Sequence, residues 1–157
     1  MSTTICFDFG NTRLKAAIFK GNQLEKLELL ENDTLASVQK LLDQYKPSKT
    51  LLSSVIHHDK AIESLLTSYG PFHLLGPQTK LNFTTPVGKP ETIGADRLGL
   101  VAAAVDLYPN QHSLVICLGT CITYNFVNNR GQFLGGSISP GMQMRFKSMN
   151  DLTALLP

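Results

Sequence analysis

Tryptophan is absent from this chain, and cysteine is scarce: only Cys6, Cys117 and Cys121 occur. An odd number with no Cys-x-x-Cys pair excludes a disulfide framework and predicts a reducing, cytoplasmic setting. Charge is sparse as well, at 17% of residues, with 14 Lys and Arg against 12 Asp and Glu. A net charge of +2, scattered along the chain, excludes a strongly basic surface, so neither nucleic acid nor membrane is the expected partner. No apolar run approaches transmembrane length, and the opening "MSTTICFDFG" lacks the basic start and long apolar core of a signal peptide. His57, His58, His73 and His112 show no metal-ligand spacing; the first two are expected to begin a helix at the surface.

What remains is a chain with 43% hydrophobic residues over 157 positions, enough for one domain or one and a fraction. Residues 4–9, 13–20 and 24–30 read as three strands separated by "NTR" and "GNQ" turns. Leu35, Val38, Leu41, Leu42 and Tyr45 keep helical spacing until Pro47, with Asn32 or Asp33 as the expected cap. A buried strand (50–56), a helix around Ile62–Tyr69 and a short strand (72–75) follow, which gives a layered α/β domain. Residues 76–92, with five Gly and Pro, predict a long irregular loop of functional or mobile type. Residues 95–108 are apolar almost all round and predict a helix buried between two layers. From residue 113 the plan of the first meander returns: apolar strand, glycine, hydroxyl residue, strand, glycine turn, strand. This suggests two related lobes with a ligand between their glycine turns.

Three stretches carry residues suited to chemistry. In "DFGNTRLK" (8–15), Gly10 lets backbone N–H groups approach an anion, Asn11 and Thr12 add donors, and Lys15 adds charge. Asp8 repels phosphate but suits a hydrated Mg²⁺ that phosphates also touch. A plain hairpin, with Asp8 accepting turn N–H bonds and Lys15 on a solvated face, fits the same residues. In "GADR" (94–97), Asp96 suits a base for a substrate hydroxyl and Arg97 a fork for a carboxylate. Equally, Asp96 complements a helix dipole and Arg97 pairs with a carboxylate elsewhere. "LGTC" (118–121) and "GGSISPG" (135–141) are weaker signals, a second glycine-hydroxyl turn and the approach to another helix; Cys117 and Cys121 read as packed thiols.

Taken in order, these motifs resemble the type III pantothenate kinases, of the superfamily that includes actin, sugar kinases and heat-shock ATPases. The resemblance rests on "DFGNTRLK", "PETIGADR", "LGTCIT", "LGGSISPGM" and the closing "TALLP". It implies a ribonuclease H-like (actin-like ATPase) lobe, a mixed sheet with flanking helices, over residues 1–110. The beginning of a second, duplicated lobe then occupies 111–157. It also implies ATP-dependent phosphorylation of pantothenate to 4'-phosphopantothenate, the first step of coenzyme A biosynthesis, with ATP between the lobes and a homodimer as the assembly. Asp8, Phe9, Gly10, Asn11, Thr12, Arg13, Leu14 and Lys15 then form the phosphate loop, with Mg²⁺ held by Asp8 through water. Thr120 touches ATP, Gly94, Ala95, Asp96 and Arg97 bind pantothenate, and Asp96 is the catalytic proton acceptor.

Three positions depart from the family pattern. Cys117 stands where the family has the Asp that binds a monovalent cation (K⁺ or NH₄⁺). Asn125 replaces a further Asp, and Val87 a Tyr near the substrate. These departures put potassium activation in doubt and keep a rival reading open: a non-catalytic regulator of the transcription-accessory type that retains the scaffold. A sugar kinase relative fits the "GADR" helix less well. The family is longer than this chain, so the chain alone is expected to fold but to be a poor catalyst.

Overall fold

The structure, a computed structural model, describes residues 2–156; Pro157, which ends the "TALLP" stretch, lies outside the described residues. The element order is β1 (Thr3–Phe9), β2 (Leu14–Lys20), β3 (Gln23–Leu30), α1 (Leu35–Tyr45), β4 (Lys49–Ser54), α2 (Lys60–Tyr69) and β5 (Phe72–Leu74). A short 3₁₀ turn at Pro90–Thr92 leads to α3 (Ala95–Leu107). Then come β6 (Ser113–Leu118), β7 (Cys121–Val127), β8 (Phe133–Pro140) and α4 (Met142–Leu152). Two compact units result: Met1–Thr79 with Gly94–Asp96, and Lys80–Ile93 with Arg97–Pro157. Their division falls earlier in the chain than residue 110, because the segment around 80–93 and most of α3 pack with β7 and β8.

The first unit is a five-stranded mixed sheet in the order β3-β2-β1-β4-β5. β1, β2 and β3 form an antiparallel meander, and β1, β4 and β5 run parallel. Alternation assigns the faces, since successive side chains on a strand point to opposite sides. Ile5, Phe7 and Phe9 of β1, Ala16 and Ile18 of β2 and Leu52 of β4 point into the core. Val38, Leu41 and Leu42 of α1 and Ile62 and Leu66 of α2 cover them. Thr34, not Asn32 or Asp33, caps α1: its Oγ1 accepts from the Ser37 N–H at 3.4 Å. Asn32 braces that cap instead, its Oδ1 accepting from Thr34 Oγ1 at 2.7 Å and Ser37 Oγ at 2.6 Å. The cap falls at the last extended residue before the apolar period begins. Lys46, left-handed at φ 44°, ends the helix before Pro47.

His57 and His58 precede α2, whose cap is Asp59. His58 is not the surface residue expected of it. Its side chain is 9% exposed, and its ring lies 3.0 Å from both Ser54 Oγ and Glu63 Oε1. Glu63 is held below the usual carboxylate range, chiefly by its bond from Lys60, with burial opposing and His58 assisting.

The second unit has the antiparallel sheet β6-β7-β8. Its core is smaller: Ile93, Leu98, Val101, Val127 and Phe133, with Leu81, Phe83, Val87 and Val105 packed against it. The long loop is therefore anchored rather than free. Phe133 N–H donates to Thr84 O at 2.8 Å and Thr85 Oγ1 to Phe133 O at 2.9 Å. α3 is not buried all round: Leu98, Val101 and Ala104 face inward while Ala103, Asp106 and Leu107 are exposed. An evenly apolar helix gives no sequence signal as to which face is covered, and only one face finds a layer among the described residues. No helix among the described residues is long and apolar enough to cross a membrane.

Candidate functional site

Asp8 is the last residue but one of β1 and Lys15 the second of β2, and they are direct cross-strand partners. Their side chains lie on the sheet face opposite the core, with Lys15 Nζ 3.5 Å from Asp8 Oδ2 and both about two-fifths exposed. An exposed pair of this kind adds little stability. It leaves an ammonium and a carboxylate side by side next to a turn. Phe9 of the candidate loop points instead into the core, at 0% exposure. Cys6 shares the outer face with Asp8, and burial pushes its thiol up despite Lys49, which makes it a poor nucleophile.

The turn closes with the Gly10 N–H donating to Arg13 O at 3.2 Å. Beside it a cavity of about 330 Å³ is lined by residues 10–14 together with Leu30, Glu31, Asp33 and Ile56. Asp8 and Lys15 do not line it. Its charged lining residues are Arg13 on one side and Glu31 and Asp33 on the other.

The "GADR" stretch divides. Gly94, Ala95 and Asp96 belong to the first unit, whereas Arg97 belongs to the second. A Cβ on Gly94 would stand 2.6 Å from Asp96 Oδ1 and 3.7 Å from Val55 Cγ1, so the Asp96 carboxylate folds back over the glycine beside the chain leaving β4. Asp96 is thereby held at the same end of the first sheet as Asp8, because β1 and β4 run parallel and adjacent. Arg97 donates from Nε to Asn125 Oδ1 at 2.6 Å and from Nη2 to Tyr124 O at 3.5 Å, with its guanidinium 5.7 Å from the Phe133 ring centre. Asn125 is fully buried, and its Nδ2 donates to Val115 O and Thr123 Oγ1, each at 3.3 Å. Sequence reasoning singled out Asn125 only as a departure. Its work as the partner of Arg97 spans 28 positions and left no local signal.

Thr120 sits in the β6–β7 turn, where its carbonyl accepts from the Gly141 N–H at 3.0 Å. A side chain at Gly141 would collide with the Gly119 and Thr120 carbonyls, so glycine is required where α4 begins. Cys117 and Cys121 form no disulfide and are only partly buried: Cys117 alternates with the exposed Ile116 and Leu118 of β6, and Cys121 opens β7 with its Sγ 3.9 Å from Met144 Sδ.

Across residues 4–157 the sequence matches the family model described as type III pantothenate kinase. The chain belongs to that family. It is 40% identical over 155 residues to the type III pantothenate kinase of Christiangramia forsetii, covering 98% of this chain and 64% of that protein. To the type III pantothenate kinase of Bacteroides fragilis it is 36% identical over 154 residues, covering 98% and 63%. The chain thus spans a little under two thirds of the length of these curated relatives. Among solved structures, a Bacteroides thetaiotaomicron protein with an actin-like ATPase fold and unknown function aligns at TM-score 0.50 and 8% identity, over 96% of this chain and 76% of that one. This supports the actin-like ATPase fold class for the chain.

Proposed function

We propose that the protein phosphorylates pantothenate with ATP, giving 4'-phosphopantothenate in the first step of coenzyme A biosynthesis. The observation that carries this reading is the Asp8–Lys15 pair at one end of the parallel β1–β4 strands, with Asp96 held at that same end. Family membership supports the choice of substrates, and the placement of Asp8, Lys15 and Asp96 is consistent with the roles proposed for them.

The donor set fits a hydrated Mg²⁺ rather than a protein-caged one. Among the described residues no three His, Cys, Asp or Glu side chains converge, and Mg²⁺ typically binds phosphates plus one or two carboxylates while keeping several waters. Asp8 would hold it, and the ion would supply charge neutralisation at the β- and γ-phosphate oxygens. Lys15 and the Asn11 side of the turn donate to phosphate oxygens, and Thr120 contacts the nucleotide. Arg97, aligned by Asn125, pairs with the pantothenate carboxylate. Asp96 accepts the proton of the primary hydroxyl as that oxygen attacks the γ-phosphorus in line. The assembly proposed is a cytoplasmic homodimer, as the family resemblance implies. At the second turn the donors do not fit a hard monovalent cation: Cys117 offers a thiol, and the Asn125 amide oxygen is engaged by Arg97.

The test is a coupled assay on the full-length protein with ATP and pantothenate, following ADP release and the phosphorylated product together. Stoichiometric formation of both is expected. ADP release without pantothenate dependence would sink the reading in favour of an ATPase, and no turnover at all would return the non-catalytic regulator.

A further inference from the structure

One face of the first sheet is covered by α1 and α2, and the other carries a polar row. Strand register sets Leu29, Lys15, Asp8 and Ser53 side by side across β3, β2, β1 and β4. Register partners project to the same face of a sheet, so Ser53 continues the line that Lys15 and Asp8 begin. Ser53 is 8% exposed, and its Oγ has no hydrogen-bond partner. A buried hydroxyl left unpaired is costly, and it calls for an explanation.

Two neighbours sharpen the contrast. Ser54, on the core-facing side, is satisfied: its Oγ donates to Ile56 O at 3.0 Å and lies 3.0 Å from His58 Nδ1. Thr50 Oγ1 is also unpartnered, but Thr50 lies on the other face, in register with core residue Ile5. Ser53 has Asp8 beside it on β1. Two residues further along the chain, Val55 packs against the Gly94 turn that holds Asp96.

We propose that Ser53 is a ligand-binding residue of the phosphate site, its hydroxyl accepting a hydrogen bond from a water of the hydrated divalent cation held by Asp8. The proposal rests on the reading of Asp8 as the anchor of that cation. Metal-bound water is a strong donor with two hydrogens, and the Asp8 carboxylate and Ser53 hydroxyl are adjacent acceptors.

The experiment titrates the native full-length protein with a non-hydrolysable ATP analogue, with Mg²⁺ and again with EDTA, and records thermal unfolding without ligand. Ser53→Ala is expected to weaken binding of the Mg²⁺ complex about tenfold and to leave binding in EDTA unchanged. Because an unpaired hydroxyl is removed, the ligand-free melting temperature should hold or rise. Ser53→Cys, which keeps the size with a weaker acceptor, should fall between the two. A lowered melting temperature with unchanged Mg²⁺-dependent affinity would show a purely structural serine and overturn the proposal. Asp8→Asn separates the two readings. If it loses Mg²⁺-dependent affinity and Ser53→Ala does not, the Ser53 proposal alone falls. If neither variant changes that affinity, the phosphate-site reading falls with it.

Discussion

β1–β2–β3 and β6–β7–β8 are both antiparallel meanders with a glycine in the first turn, yet their surroundings differ. The first is extended by β4 and β5 and packed by two helices, so its inward face is sealed by eleven buried apolar residues. The second is three strands wide, and Leu114, Ile116 and Leu118 of β6 stand half to three-quarters exposed. The heads of the two turns differ too. The first carries an Asp8–Lys15 pair; the second carries Cys117, Gly119 and Thr120, with no carboxylate. One strand plan thus supports a charged site in one unit and a neutral turn in the other. The proposed chemistry concentrates where the sheet is sealed. A packed sheet fixes side-chain positions, and catalytic groups must be held to fractions of an ångström.

The largest expected effect breaks this contrast at its charged end. In the full-length enzyme, Asp96→Asn should lower kcat by roughly 10² or more with ATP affinity little changed. Cys117→Ala, at the neutral turn, should change kcat by less than about twofold if that thiol carries no chemistry. Steady-state kinetics on both variants decides it: comparable losses would erase the distinction drawn here, and near-normal turnover in Asp96→Asn would remove Asp96 as the base.

The second effect concerns packing. Phe7→Ala removes a ring at 1% exposure from the sealed core and should cost about 3–5 kcal/mol. Ile116→Ala, on the open face of β6, should stay within about 0.5 kcal/mol. Denaturant titration followed by far-UV circular dichroism measures both. A large loss for Ile116→Ala would mean that something covers that face in the native protein.

A third, smaller effect tests how Arg97 is held. Asn125→Leu removes the acceptor 2.6 Å from Arg97 Nε and should cost about 1–3 kcal/mol, through a buried donor left unmatched. If Arg97 pairs with the substrate carboxylate, KM for pantothenate should rise while KM for ATP stays put. Equal rises in both would make Asn125 merely structural.

The elements of the first unit were readable because each announces itself locally, although their order in the sheet was not. An apolar run marks β1, the Leu35–Tyr45 period marks α1, and Pro47 and Gly70 stop the helices. Motif spacing likewise brought Asp8 and Lys15 together, since a short turn between antiparallel strands makes them cross-strand partners. What stayed hidden was long-range. Nothing near position 97 says that Arg97 meets Asn125, and nothing near 84 says that the Gly- and Pro-rich loop pairs with residues 131–133. The coverage of α3 was misjudged for a related reason. A uniform helix such as "LGLVAAAV" reports its apolarity but not which side a sheet will occupy. Ser53 was equally silent, a serine in an apolar strand that only register places beside Asp8.

The smallest expected effect lies at the second turn. A monovalent cation needs oxygen ligands, preferably one with charge, and Cys117 supplies only sulfur at the end of β6. Asn125 cannot replace the missing carboxylate, because its oxygen accepts from Arg97 and its amide donates to Val115 and Thr123. Rates in potassium, ammonium and sodium buffers at matched ionic strength should therefore differ by less than about twofold. Cys117→Asp sharpens the point. Its Cα partner across the sheet is Thr123, so a carboxylate there would join a hydroxyl at the edge of the turn. If the missing charge is all that prevents cation binding, this variant gains a saturable activation by potassium that the parent lacks. Strong activation of the parent itself would mean that other oxygens build the site, and that the thiol at 117 is no barrier to it.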